Sequence, residues 1–165
     1  MQTIIQDGDP VLRETAKPVP VEEIASPAIQ KIIADMKEAL SVAPDGVAIA
    51  APQIAVPLRI FVVAGKVFAE NGTSPDLVFI NPEIISLSEE TQSMDEGCLS
   101  VHGSFGMVKR SLRARIKGYN EKAGETQMEG EGLLAQIFQH EIDHLNGILF
   151  IDKAEKIQNI KPHDA

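Results

Sequence analysis

Residues 131–146 read as a helix that is apolar over most of its circumference, and a chain carrying such a helix must fold around it. At about 100° per residue, Leu133, Ile137, His140 and His144 fall on one face, and Leu134, Phe138, Ile142 and Leu145 on a neighbouring arc. Gln136, Gln139, Asp143 and Asn146 share the remaining polar arc, with Ala135 at its edge, and Gly147 is placed to end the helix. Burial is therefore expected, with both histidines facing inward, where an unpaired polar ring is costly. Positions 140–144 spell His-Glu-Ile-Asp-His. The i, i+4 spacing lets both imidazoles bind one metal, and it sets Glu141 beside the open position of that metal.

A chain of 165 residues, 44% apolar and 24% charged, has material for one domain with a substantial core. No internal repeat or linker divides it, so residues 1–165 are expected to form a single domain, with 153–165 as a candidate mobile tail. A formal charge of −9 argues against general attraction to nucleic acid or an anionic membrane. No apolar run approaches the ~20 residues of a membrane span, and the N-terminus lacks the basic start and apolar stretch of a signal peptide. The one cysteine, Cys98, excludes an internal disulfide and fits a reducing compartment, so the cytoplasm is the expected location.

Ser26-Pro27 opens a helix carried by Ile29, Ile32, Ile33, Met36 and Leu40, and Pro44-Asp45-Gly46 closes that region in turn chemistry. Residues 59–64 and 77–80 are β-branched-rich runs that predict strands. Leu112, Ala114 and Ile116 alternate with Arg113, Arg115 and Lys117, which predicts a strand with one buried face, and turn residues follow at 118–120 and 123–124. Helix, several strands, then helix favours an α+β fold over an alternating parallel sheet.

Two imidazoles need a third ligand. The zinc-peptidase extension of this motif ends in a histidine six residues on; Gly147 fits its glycine, but Phe150 stands at the final position. His163 lies in the tail, and Glu155 follows closely on the end of the helix. Cys98, in Asp95-Glu96-Gly97-Cys98-Leu99-Ser100, is the better candidate. One thiolate and two imidazoles leave the open fourth position that a catalytic site requires.

Three blocks, Gly46-Val47-Ala48-Ile49-Ala50-Ala51-Pro52-Gln53, Glu96-Gly97-Cys98-Leu99-Ser100 and Gln139-His140-Glu141-Ile142-Asp143-His144, resemble the peptide deformylases in content, order and separation. A weaker N-terminal stretch, Asp9-Pro10-Val11-Leu12-Arg13 with Ala16-Lys17-Pro18-Val19, is similar too, so the resemblance runs from about residue 5 to 153. It implies an α+β fold in which antiparallel or mixed strands pack around a central buried helix carrying the motif. It also implies a catalytic domain that removes the N-formyl group from N-formylmethionyl peptides of newly made proteins and releases formate.

By the same resemblance, Cys98, His140 and His144 would hold one divalent metal ion, usually ferrous iron, with zinc, nickel or cobalt able to substitute. Glu141 would be general acid/base, Gln53 an oxyanion donor through its side-chain amide, and Leu99 a second donor through its backbone N–H. Gly46, Ala48 and Gly97 would line the peptide groove, and Glu96 would pair with Arg110 to brace the cysteine loop. The expected partners are an N-formylated peptide and the ribosome with its nascent chain.

Several positions depart from the family pattern. Ala48 stands where a second glycine is usual, His102 where a proline follows the cysteine block, and Lys109 where another precedes Arg110. Residues 103–106 lack an arginine often found near the downstream part of the substrate. Altered groove residues keep two other readings open: a related amidase or peptidase with a different substrate preference, and a non-catalytic paralogue that holds metal and binds peptide.

Overall fold

A computed structural model describes residues 2–69 and 74–159. Helix α1 (Pro27–Ser41) begins as expected: the Ser26 side chain accepts the Ile29 N–H and proline occupies the first turn. Strands β1 (Ala48–Ala50), β2 (Ile60–Val63), β3 (Leu77–Leu87), β6 (Arg113–Tyr119) and β7 (Glu125–Glu131) form an antiparallel sheet in the order β1-β2-β3-β6-β7. A second antiparallel sheet, ordered β4-β5-β8, holds β4 (Thr91–Cys98), β5 (Val101–Ser111) and β8 (Glu155–Asn159). Helix α2 (Leu133–Leu145) carries the histidine motif. Antiparallel sheets with two helices are the α+β class expected, and no described helix is long and apolar enough to cross a membrane.

The apolar run of β2 shows why its sequence does not alternate: both of its faces are covered. Ile60 and Val62 pack with Ile29, Ile33, Met36 and Leu40 of α1, while Phe61 and Val63 pack with Phe138, Ile142 and Leu145 of α2. Phe61 stacks on Phe79 at 4.9 Å, and Phe79 meets Phe138 edge-on at 5.5 Å, which fixes α2 against the sheet. Strand β6 alternates as its sequence predicts, with Ala114 and Ile116 buried and the basic residues between them outside.

Both ends of α2 are set by backbone conformation. Gly132, at φ 62°, turns the chain out of β7, so the helix starts at Leu133 rather than at 131. Gly147, at φ 75°, ends it, and a Cβ there would meet the Arg13 carbonyl oxygen at 2.5 Å. Gly147→Ala is therefore expected to cost about 1–3 kcal/mol, read as a lowered midpoint in urea unfolding at unchanged m-value. Within the segment set apart as a mobile tail, Glu155–Asn159 instead forms β8, pairing with β5 from Ser104↔Asn159 to Met107↔Glu155. Residues 160–165, His163 included, lie outside the described residues.

Candidate metal centre and cleft

Cys98 ends β4, where pairing with β5 changes register: Gly97 faces Phe105 but Cys98 faces Val101, across a turn made by Leu99 and Ser100. The bulge bends the hairpin over α2 and aims the thiol at the helix. There the sulfur lies 3.1 Å from His144 Nε2, and the ligand atoms of Cys98, His140 and His144 are all within 4.8 Å of one another. Among the described residues this is the one such cluster of metal-ligating side chains, and Glu155 on β8 takes no part in it.

These donors suit a metal. His140 Nδ1 sits 2.7 Å from Glu96 Oε2, so its proton belongs on that side and Nε2 keeps a lone pair for the site. Burial pushes the His144 ring well below its ordinary value, into the neutral form that can ligate. Burial also disfavours charge on His140, but hydrogen bonds to Cys98 and Glu96 outweigh it and raise that ring well above its ordinary value. Cys98 and Glu96 thus favour positive charge at His140. Thiolate and imidazole ligands suit iron and zinc alike.

A buried ion network joins the hairpin that carries Cys98 to α2. Arg110 binds Glu96 through two bonds, Nε to Oε1 at 3.0 Å and an Nη to Oε2 at 2.6 Å, and reaches Asp143 Oδ2 at 2.7 Å. Lys153 meets the same Asp143 carboxylate at 3.0 Å. Glu96 also accepts Gln136 Nε2 at 3.2 Å. Burial alone would push the Glu96 carboxyl up, but the hydrogen bonds from His140 and Arg110 bring it down to about 2. The pairing of Glu96 with Arg110 expected from sequence is present, and Asp143 and Gln136 join it.

Glu141 follows His140 into the site and is 3% exposed, with Oε2 buried and unpartnered and Oε1 3.9 Å from His140 Nε2. Burial pushes its carboxyl up to about 7. Gln53 sits on a 3-10 turn (Ala51–Ile54) directly after β1 and is 1% exposed. Its Oε1 accepts the Ala50 N–H at 2.9 Å, so its amide nitrogen is turned toward Ser100 Oγ at 3.1 Å and Cys98 Sγ at 3.7 Å.

A cleft of about 720 Å³ opens on this group. Gly46, Ala48, Gln53, Gly97, Cys98, Leu99, His140 and Glu141 all line it, whereas His144 lies behind them. The Phe105 ring covers Gly97, where a Cβ would come within 2.8 Å of it. Ala48 is extended within β1, so its methyl group imposes no backbone conflict. His102 lines the cleft, but Lys109 does not: it faces outward on β5, so this departure does not border the groove.

Sequence reasoning missed Ser100, which orients Gln53, and it placed Gln136 and Gln139 on a polar arc. Both glutamines are buried. Gln139 bonds the backbone of Ser111 on both sides, donating to its carbonyl and accepting its N–H, each at 2.9 Å. The available signal was the spacing of Gln136, which precedes His140 by one turn.

A family model described as polypeptide deformylase matches residues 1–160. The peptide deformylase of Carboxydothermus hydrogenoformans is 46% identical over 155 residues, covering 93% of each chain. A Synechococcus elongatus peptide deformylase crystallised with actinonin superposes with a TM-score of 0.86 at 34% identity, over 94% of this chain and 81% of that one. A Met-Ala-Ser-bound class I type b peptide deformylase from Acinetobacter baumannii gives 0.82 at 33% identity, over 92% and 97%.

Proposed function

This chain belongs to the polypeptide deformylase family, hydrolases that remove the N-formyl group from newly made peptides, and on that premise we propose how its residues share the work. Cys98, His140 and His144 hold one divalent metal, ferrous iron in our reading, with zinc, nickel or cobalt as substitutes. When bound, the metal supplies Lewis acidity, polarising a carbonyl and acidifying water. Glu141 takes a proton from the attacking water at its unpartnered Oε2 and returns it to the departing amine nitrogen. Gln53 Nε2 and the Leu99 N–H donate to the formyl oxygen as charge builds on it. The substrate peptide runs along the cleft past Gly46, Ala48 and Gly97, the opening beside Cys98, His140 and Glu141.

We further read residues 1–165 as one catalytic domain organised around α2, working in the cytoplasm on chains leaving the ribosome. The identity of the substrate supports that location, because formylated N-termini arise in translation.

One observation carries the assignment of roles: Cys98, His140, Glu141 and Gln53 converge at one cleft. The protein, purified without oxygen, should contain one iron per chain and release formate from a formylmethionyl tripeptide. Absence of formate from iron-replete protein would overturn the reading. Gln53→Ala should lower kcat about 10²-fold with little change in KM, because its donor acts on charge that exists only in the transition state. An equal loss from KM alone would make Gln53 a substrate-binding group instead.

A further inference from the structure

Gln136 stands one turn before His140 on α2, faces the cleft and is nearly fully buried. Its neighbours dictate its orientation. Two acceptors, the Asp95 carbonyl at 2.9 Å and Glu96 Oε1 at 3.2 Å, lie against one end of the amide, so that end is the NH2. The other end, Oε1, has no hydrogen-bond partner among the described residues. It is nevertheless not one of the solvent-inaccessible orphans, which are Glu141 Oε2 and His144 Nδ1. Oε1 therefore reaches open space, and the open space beside Gln136 is the cleft. Val47, Leu133 and Ile137 make the wall around it, so a bare acceptor is set into an apolar surface.

The formyl carbon must lie within reach of Glu141 and Gln53, and the Cα of the formylated residue is two covalent bonds farther on. One helical turn is ~5.4 Å, the reach of a methionine-sized side chain from that Cα. A first side chain directed along the cleft toward the N-terminal end of α2 passes Gln136.

We propose that Gln136 is a specificity-determining residue whose Oε1 accepts a hydrogen bond from the first side chain of the substrate, so that this cleft takes donor-tipped first residues, glutamine among them, as well as methionine. The inference rests on the deformylase reading of the cleft. An apolar tip laid over Oε1 removes its water and supplies no donor, whereas a terminal amide of the same length pairs with it. A buried acceptor left unpaired narrows the preference for the apolar tip by about 5- to 100-fold.

Three formyl tripeptides differing only in the first residue, methionine, norleucine or glutamine, test this on the iron-loaded enzyme and on Gln136→Leu. The norleucine-to-glutamine ratio of kcat/KM is expected to rise at least about fivefold in the variant; a smaller rise overturns the inference. Should that variant not fold or not hold iron, Gln136→Met, which keeps the side-chain length and removes the acceptor, is read by the same ratio and the same fivefold threshold. Failure of the iron-loaded wild type on the methionine peptide strikes the deformylase reading itself, and this inference with it.

Discussion

Replacing Glu141 with alanine or glutamine is expected to lower kcat by about 10²- to 10⁴-fold while leaving the metal content unchanged. Both halves of that result follow from where the carboxylate sits. It is next to His140 in sequence but is not part of the Cys98–His140–His144 cluster, and its buried Oε2 has no partner to lose. Removing it costs the fold little, because a buried carboxyl with an unsatisfied oxygen is itself unfavourable. The melting temperature of Glu141→Ala should hold or rise. Burial pushes the Glu141 carboxyl up to about 7, which makes it a base strong enough to take a proton near neutral pH and an acid able to give it back. Glutamine keeps the shape and cannot take the proton, so Glu141→Gln should be as inactive as alanine. Metal analysis alongside single-turnover formate release checks both halves. Loss of iron from either variant would make Glu141 a ligand, and the proposed proton transfer would go with it.

The site was legible where residue type and spacing state the chemistry directly. His140 and His144 lie one turn apart on α2 with both side chains buried, and Cys98 is the thiol they meet. The polar side of α2 was not legible as buried. A glutamine on a helical wheel looks solvated, yet Gln136 and Gln139 are buried because a second sheet supplies backbone and carboxylate partners on that side. Leu133, grouped with the inward face, is 50% exposed, since the first residue of α2 stands at the cleft rim. Strand β4 had no strand signature: Thr91-Gln92-Ser93-Met94-Asp95 is mostly solvated, and its pairing with β5 comes from the backbone ladder rather than from an apolar face. Strand β8 is exposed along its whole length for the same reason. Apolar periodicity finds strands that bury a face, such as β2 and β6, and passes over those held only at their edges.

Arg110→Ala is expected to destabilise the fold by about 3–5 kcal/mol, a large part of the total for a domain of this size. The guanidinium is 3% exposed and serves two carboxylates at once, Glu96 by two bonds and Asp143 by a third. Its removal leaves the buried Glu96 carboxylate with only His140 and Gln136 as partners and Asp143 without its buried cation, which is the costly way to break a buried pair. Arg110→Lys should recover only part of the loss, because an ammonium cannot match the two-pronged contact and reach Asp143 together. A double variant, Arg110→Met with Glu96→Leu, separates stability from positioning. Replacing both charges by apolar groups should restore most of the stability, since the pair must offset its own desolvation. It should not restore metal binding. Without Glu96 the His140 ring loses the acceptor that holds its Nδ1 proton, and metal affinity should fall about 10- to 100-fold in a folded protein. Urea unfolding and competitive chelation measure the two quantities independently. If the double variant binds metal as the wild type does, Glu96 and Arg110 stabilise the hairpin alone and do not orient the ligand.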